Sequence, residues 1–147
     1  MEAIFSAAWV IFAVPVGKFI DKFGGRISLA ISEFVGIAAV LGFILSSTFV
    51  SFAIPMTLWG ITAALWVPAA QTWLADGVRT KERAEAMGWL GFSRIFAFPA
   101  PFIGGFLFDR WGLRPPLLAN LLGIILTFSI IVLFVPEIRT NSERAGK

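Results

Sequence analysis

The chain has 147 residues, of which 58% are hydrophobic and only 14% are charged. A soluble domain carries about 45–50% apolar and about 25% charged residues, so this chain has too few charges to cover the outside of a soluble helical bundle. The formal net charge is +3, but the basic residues cluster in short links between apolar runs, which favours membrane orientation over nucleic-acid binding. Cysteine and histidine are both absent, which excludes disulfides, thiolate metal sites and histidine-dependent catalysis.

Five apolar segments are long enough to cross a bilayer, whose hydrocarbon core takes about 20 residues of helix. In chain order we predict helices at about 3–19, 28–47, 49–75, 85–108 and 115–135, followed by a polar tail at 137–147. Four prolines fall inside the third and fourth segments, where neighbouring helices can satisfy the carbonyls that proline leaves unbonded. The sequence therefore predicts an all-α integral membrane protein with five transmembrane helices.

Basic residues are distributed unequally between the two sides of these predicted spans. One side carries Lys18, Lys22, Arg26, Arg79, Lys81, Arg83, Arg139, Arg144 and Lys147. The other side carries Arg110 and Arg114, and Arg94 lies inside the fourth span. Because cytoplasmic loops are enriched in Lys and Arg, we predict a cytoplasmic C-terminus and an N-terminus outside, in the cell membrane.

A ten-residue pattern occurs twice. The stretch GKFIDKFGGR at 17–26 returns as GFLFDRWGLR at 105–114. An offset of 88 residues aligns Gly17, Asp21, Lys22, Gly24 and Arg26 with Gly105, Asp109, Arg110, Gly112 and Arg114. The two copies lie three spans apart and on opposite sides of the membrane, which indicates an inverted three-helix repeat.

This pattern resembles the loop motif of the major facilitator superfamily, which joins the second and third helices of a six-helix half and has a weaker counterpart between the eighth and ninth. Gly25 stands where the superfamily usually has a second basic residue. The stretch WVPAAQTWLADGVRTKERAEAMG at 66–88 resembles the fourth-to-fifth or tenth-to-eleventh connection. PFIGG at 101–105 and VPE at 135–137 resemble later family stretches, although Ala100 replaces the usual glycine.

The resemblance implies part of a secondary transporter that moves a small solute by alternating access, without a cofactor or metal. Because the third span lacks the early arginine usual in the N-terminal half, and the chain ends soon after its last span, helices eight to twelve are favoured. The implied partners are the solute, membrane lipid, and the missing transporter half or another membrane chain. In the family the first motif, here Asp21, Lys22 and Arg26, acts as a latch between bundles. The alternative for both copies is a basic anchor with a turn.

Two charged residues lie well inside predicted spans, Glu33 and Arg94. A charge within the membrane is costly and marks a functional candidate, so we hypothesise that the two pair or line a shared polar route. The alternative is that Arg94 snorkels to the interface while Glu33 is protonated or pairs with a loop base. The further candidates for a cavity lining are Trp9, Thr62, Trp66, Gln71 and Phe98. For the aromatic residues, and for Trp59 as well, the alternative is a lipid-facing or packing role.

Two other classes of function are open. A small self-assembling exporter or scaffold is possible, but an antiparallel dual-topology dimer requires little bias in basic residues. A membrane-embedded enzyme is disfavoured. Asp76–Gly77 superficially opens like the aspartate-rich motif of phospholipid-headgroup transferases, which needs further aspartates close by to hold metal. The next aspartate, Asp109, lies across the membrane, so we predict that the chain is not an enzyme.

Overall fold

The protein is described by a computed structural model that covers residues 2–93, 95 and 99–136. These residues form six helices: α1 (Glu2–Phe23), α2 (Gly25–Leu45), α3 (Ala53–Gly77), α4 (Arg83–Ser93), α5 (Ala100–Trp111) and α6 (Arg114–Phe134). No strand occurs within the described ranges. The predicted all-α class is therefore confirmed. Arg94, Phe98 and the tail at 137–147 lie outside the described residues.

Four of the described helices, α1, α2, α3 and α6, are long and apolar enough to cross a membrane. They correspond to the first, second, third and fifth predicted spans. Helices α2 and α6 have 21 residues each. At 1.5 Å per residue they extend about 31 Å, which matches the hydrocarbon core of about 30 Å.

Within the fourth predicted span, 85–108, the structure describes two helices, and residues 94 and 96–98 between them lie outside the described residues. Where one continuous helix was expected, α4 ends at Ser93 and α5 begins at Ala100. Pro99 is the N-cap residue of α5, and Pro101 lies in its first turn. Proline is favoured at these positions because the N–H groups there have no partner within the helix. Both prolines therefore lie at positions where a helix can begin.

Helix α3 is central and packs along both α1 and α2. Glycines allow the close approach at two crossings. A Cβ at Gly60 would lie 2.8 Å from the carbonyl oxygen of Phe5, and one at Gly25 would lie 2.7 Å from the backbone nitrogen of Trp73. Only glycine fits at such distances. The main apolar core around α3 comprises Val16, Ile20, Leu29, Ala64, Leu65, Ala69, Ala70 and Ile131.

Helix α6 packs antiparallel to α2. The Nη2 group of Arg26, at the start of α2, donates a 2.9 Å hydrogen bond to the carbonyl of Val132, in the last turn of α6. At the same end of the bundle, Nε1 of Trp73 donates a 3.1 Å hydrogen bond to the carbonyl of Pro136. The α1–α2 junction and the end of α6 therefore share one end of the bundle, whereas the α5–α6 junction lies at the other end.

Most of the exposed side chains of α5 and α6 are apolar. Within the described ranges α5 has no buried residue, and α6 buries only Ile124 and Ile131. Leu133 and Phe134 are 73% and 77% exposed. Large exposed apolar side chains of this kind are suited to lipid or to another membrane helix rather than to water.

Candidate functional site

A groove of about 780 Å³ lies between α2, α3 and α6. One residue of α2 forms part of the wall, and α3 and α6 supply the remainder. The lining residues are Glu33, Trp59, Thr62, Ala63, Trp66, Val67, Ala119, Asn120, Gly123, Ile124 and Thr127. The groove is therefore mostly apolar, with a few polar side chains in its walls.

Glu33 is the acidic residue of the groove and is only 6% exposed. Its Oε1 atom accepts a 2.9 Å hydrogen bond from Nε1 of Trp66, which ties α2 to α3. A carboxyl group without a donor is costly in an apolar environment, so this bond stabilises the residue where it lies. Among the described residues, Trp66 is the one side chain that donates a hydrogen bond to the Glu33 carboxyl. A carboxylate can accept several hydrogen bonds.

The hydroxyl groups in the groove bond within their own helices. Thr62 Oγ1 donates to the carbonyl of Leu58 at 3.1 Å, and Thr127 Oγ1 donates to the carbonyl of Gly123 at 3.0 Å. The Glu33 carboxyl and the Asn120 amide are therefore the groups best suited to contact a molecule in the groove. No group of three or more Asp or Glu side chains in the described part could hold a metal ion.

The groove continues along α6 into a smaller cavity of about 280 Å³. Both cavities are lined by Trp59 and Asn120. The smaller one adds Val40, Phe43, Leu113, Pro116 and Leu117. The two together form one long groove, which we call the α3–α6 groove, and which follows α6 from Leu113 to Thr127.

The two copies of the repeated motif have the same backbone geometry. Gly24 has φ of 83° and Gly112 has φ of 80°, a region that favours glycine. The N–H of Gly24 donates to the carbonyl of Ile20 at 2.8 Å, and the N–H of Gly112 donates to that of Phe108 at 2.7 Å. Both donors and both acceptors are separated by the same 88 residues as the motif copies, so the sequence repeat is also a repeat of local structure.

The basic and aromatic side chains of the motif are also arranged alike in the two copies. Lys22 Nζ lies 5.2 Å from the ring centroid of Phe23, and Arg110 Cζ lies 5.7 Å from that of Trp111. These distances permit a cation–π interaction in both copies. The motif is not a loop, however. Residues 17–23 continue α1, and a single glycine separates α1 from α2, because its positive φ turns the chain within one residue.

The structure brings together only part of the predicted cavity lining. Glu33, Thr62 and Trp66 all line the groove. Trp9 and Gln71 are exposed and are not among its lining residues. Arg94 and Phe98 lie outside the described residues, so the Glu33–Arg94 pairing stays a prediction. In the first motif copy, Asp21 and Lys22 are exposed. In the second copy, the exposed residues include Gly105, Asp109, Arg110 and Arg114.

Sequence reasoning missed Asn120 and Thr127 of α6. The signal was present, because an amide side chain within a span of such high mean hydropathy carries a desolvation cost and therefore points to a partner. The Glu33–Trp66 hydrogen bond was also not predicted, since the two residues are 33 positions apart.

Comparison with known proteins gives a consistent result. The family model for the Major Facilitator Superfamily matches residues 1–147. The class B tetracycline resistance protein of Escherichia coli is 32% identical over 145 residues, which cover 96% of this chain and 35% of that protein. Multidrug resistance protein 1 of Bacillus subtilis (strain 168) is 28% identical over 139 residues, covering 93% of this chain and 36% of that protein.

An uncharacterized MFS-type transporter of Methanocaldococcus jannaschii is 28% identical over 123 residues, covering 82% of this chain and 32% of that protein. The chain thus spans about a third of the length of the curated relatives that it matches. No solved structure gives a significant match. The full-length family match, the apolar helices and the inverted repeat agree, and the chain is an integral membrane protein that belongs to the major facilitator superfamily.

Proposed function

We propose that the chain forms part of a secondary transporter that moves a small organic solute across the cell membrane by alternating access. The observation that carries the proposal is the repeated geometry at Gly24 and Gly112, at opposite ends of the bundle. Inverted repeats are the architecture from which alternating-access transporters are built, because two related halves can exchange conformations. Family membership supports the same function.

The end of the bundle that holds the first motif faces the cytoplasm in this proposal. The excess of Lys and Arg on that side supports the orientation. Asp21 and Lys22 are exposed there at the end of α1, while Arg26 bonds to α6. We propose that Asp21 and Lys22 act as a latch towards another helical bundle, either the other transporter half or another membrane chain. In this proposal the chain corresponds to helices eight to twelve.

Glu33 is the residue that we assign to the polar route. Its carboxyl lines the groove and is held by Trp66. We propose that Arg94 contributes the opposite charge. Exchanging the two charges, Glu33→Arg with Arg94→Glu, should restore transport that each single substitution abolishes. Two inactive single variants without rescue in the double variant would contradict the pairing.

The names of the relatives support a choice of solutes to test. Two of them are named for resistance to tetracycline or to multiple drugs, so tetracycline and a panel of drug-like organic compounds are the solutes to test first. The measurement is solute accumulation in cells that naturally produce the chain, before and after deletion of its coding sequence. A rise on deletion indicates export, and a fall indicates import.

The deleted strain should regain its original accumulation with the wild-type chain and with Glu85→Gln. Glu85 is an exposed acid at the start of α4, so this control removes a charge outside the groove. Glu33→Gln should fail to restore accumulation while inserting at the same level. If deletion changes the accumulation of no solute in the panel, the proposed function is wrong. If Glu33→Gln restores accumulation fully, the assigned role of Glu33 is wrong.

A further inference from the structure

We propose that the groove between α1 and α2 binds an anionic phospholipid, with one acyl chain in the groove and the headgroup phosphate on Lys18 and Lys22. We call it the α1–α2 groove, and it shares no lining residue with the α3–α6 groove. The proposal concerns an interaction surface for one class of lipid. Transport of no solute is required for it to hold.

The α1–α2 groove is small and apolar. Helices α1 and α2 pack along α3 and only slightly against each other, which leaves a cleft between them. Its volume of about 190 Å³ corresponds to roughly six groups of the size of a water molecule. This is room for a short stretch of one acyl chain, whereas a helix about 10 Å wide is too broad to enter. The lining residues are Pro15, Val16, Phe19, Ile31 and Leu65.

Two rows of side chains run side by side along the last turns of α1. Pro15, Phe19 and Phe23 follow one another at four-residue intervals and form an apolar row. Lys18 and Lys22 form a basic row beside it, also four residues apart, and both are exposed. Residues at this spacing lie on one face of a helix. An apolar row beside a basic row matches a phospholipid, which joins an acyl chain and a phosphate in one molecule.

The Lys22 ammonium lies on the side of α1 that carries the groove. Its Nζ is 5.2 Å from the ring centroid of Phe23, and that ring is 4.5 Å from the ring of Phe19, which lines the groove. Asp21 is two residues from each of these phenylalanines, a spacing that places it on nearly the opposite face of the helix. Arg26 donates its hydrogen bond to α6. The charge beside the groove is therefore positive, which favours a phosphate over an amine headgroup.

The depth of the groove agrees with a single leaflet. Lys22 lies in the last turn of a helix that is long enough to cross the membrane. From Lys22 to Pro15, α1 extends about 10 Å at 1.5 Å per residue. One leaflet fills about half of the hydrocarbon core of about 30 Å, so the groove ends within it. Lys18 is one turn deeper than Lys22, and its long side chain can extend to a phosphate at the surface.

The headgroup supplies the preference for one lipid over another. Lipid tails are as apolar as the groove itself, so placing an acyl chain there does not select its headgroup. A basic side chain near the membrane surface attracts an anionic headgroup. An ammonium group has three donors, so a phosphate on Lys22 leaves donors for an acid of another helical bundle. The lipid site is therefore compatible with the latch proposed for Lys22.

Photoactivatable lipids test the site directly. The chain is reconstituted in phosphatidylcholine vesicles with a trace of one probe, which carries a diazirine in the middle of one acyl chain. The probe is phosphatidylglycerol, phosphatidylethanolamine or phosphatidylcholine. After illumination, the labelled residues are identified by mass spectrometry. The phosphatidylglycerol probe should label residues 15–31 more strongly than the phosphatidylcholine probe, by about fivefold for each lysine that contributes.

Substitution of the lysines should remove this preference. Lys22→Gln should lower it about fivefold, and the double variant with Lys18→Gln should be labelled equally by the two probes. Arg110→Gln is the matched control, because Arg110 also lies near an aromatic ring but in the second motif copy, and it should keep the full preference. Equal labelling of the unmodified chain by the two probes would overturn the proposal. So would stronger labelling by phosphatidylethanolamine than by phosphatidylglycerol, which indicates an amine headgroup on Asp21.

A filling substitution tests the groove separately from the charges. Ile31→Trp places a larger side chain in the groove and leaves both lysines in place. Leu41→Trp is its control, because Leu41 is an exposed residue of α2 outside the lining. With melting temperatures showing that both variants are folded, Ile31→Trp should lose the preference at residues 15–31 and Leu41→Trp should keep it. A preference retained by a folded Ile31→Trp chain would contradict an acyl chain in the groove.

A last measurement concerns the membrane in which the chain is naturally made. Discs cut from that membrane with a styrene–maleic acid polymer should retain more anionic phospholipid with the unmodified chain than with the Lys18→Gln, Lys22→Gln double variant. Equal retention would overturn the proposal, because another occupant would then cover the groove in the cell. Solute accumulation is not measured in any of these tests, so failure of this proposal is distinguishable from failure of the transport proposal.

Discussion

The contact between α2 and α3 at Gly25 leads to a prediction about stability. A Cβ at this position would lie 2.7 Å from both the Cβ and the backbone nitrogen of Trp73, and 2.9 Å from the carbonyl oxygen of Ala69. Two of these three atoms belong to the backbone, so they cannot rotate away. For Gly25→Ala, the start of α2 must therefore move about 0.7 Å to reach the 3.4 Å of an ordinary contact.

Such overpacking costs about 1–3 kcal/mol of unfolding free energy. At about 2–4 °C per kcal/mol for a chain of this size, the melting temperature should fall by about 2–12 °C. The assay is thermal unfolding in detergent, followed by tryptophan fluorescence, because Trp73 lies at the perturbed contact.

Gly17→Ala is the matched control. Gly17 lies inside α1, and nothing is within 4 Å of a Cβ built there. Since alanine favours a helix over glycine by up to about 1 kcal/mol, this variant should melt at the same or a higher temperature. The reasoning is refuted if Gly25→Ala melts with the unmodified chain, or if Gly17→Ala is destabilised as much as Gly25→Ala.

Two further substitutions test the motif turns and the groove. Gly24→Ala and Gly112→Ala should each lower stability by about 1–2 kcal/mol in the same melting assay, because both glycines have positive φ; unchanged melting of either would contradict the repeated turn geometry. Trp66→Phe should lower stability by about 1–3 kcal/mol, because it removes the donor to the buried carboxyl of Glu33. Trp9→Phe is its exposed control, and equal losses from both would argue against the hydrogen bond.

The repeated motif shows both the reach and the limit of sequence reasoning. The 88-residue offset was readable from the letters alone, and it matches the helix boundaries and turn angles at Gly24 and Gly112. The same letters suggested a loop at 17–26, whereas the structure continues α1 to Phe23. Charged and glycine residues are typical of loops, but a helix that reaches the membrane surface carries the same residues in its last turns.

The predicted groove residues illustrate a second limit. Glu33 was singled out because a charge in an apolar span is conspicuous by itself. Thr62 and Trp66 also line the groove, but Trp9 and Gln71 do not. The difference depends on the rotation of each helix about its axis, which the nearly uniform apolar pattern of these helices does not encode. A soluble helix shows its buried face by its polar pattern, whereas lipid and core are both apolar.

The sequence by itself determined the membrane class, the four long helices, the superfamily and the existence of two related motif copies, because each depends on composition or on spacing along the chain. Only the tertiary structure decided that α3 packs along both α1 and α2, that Glu33 meets Trp66, and that a groove lies between α2, α3 and α6. These features depend on which faces of separate helices meet. In a membrane that choice is made by close packing at small residues such as Gly25 and Gly60, and by hydrogen bonds between helices.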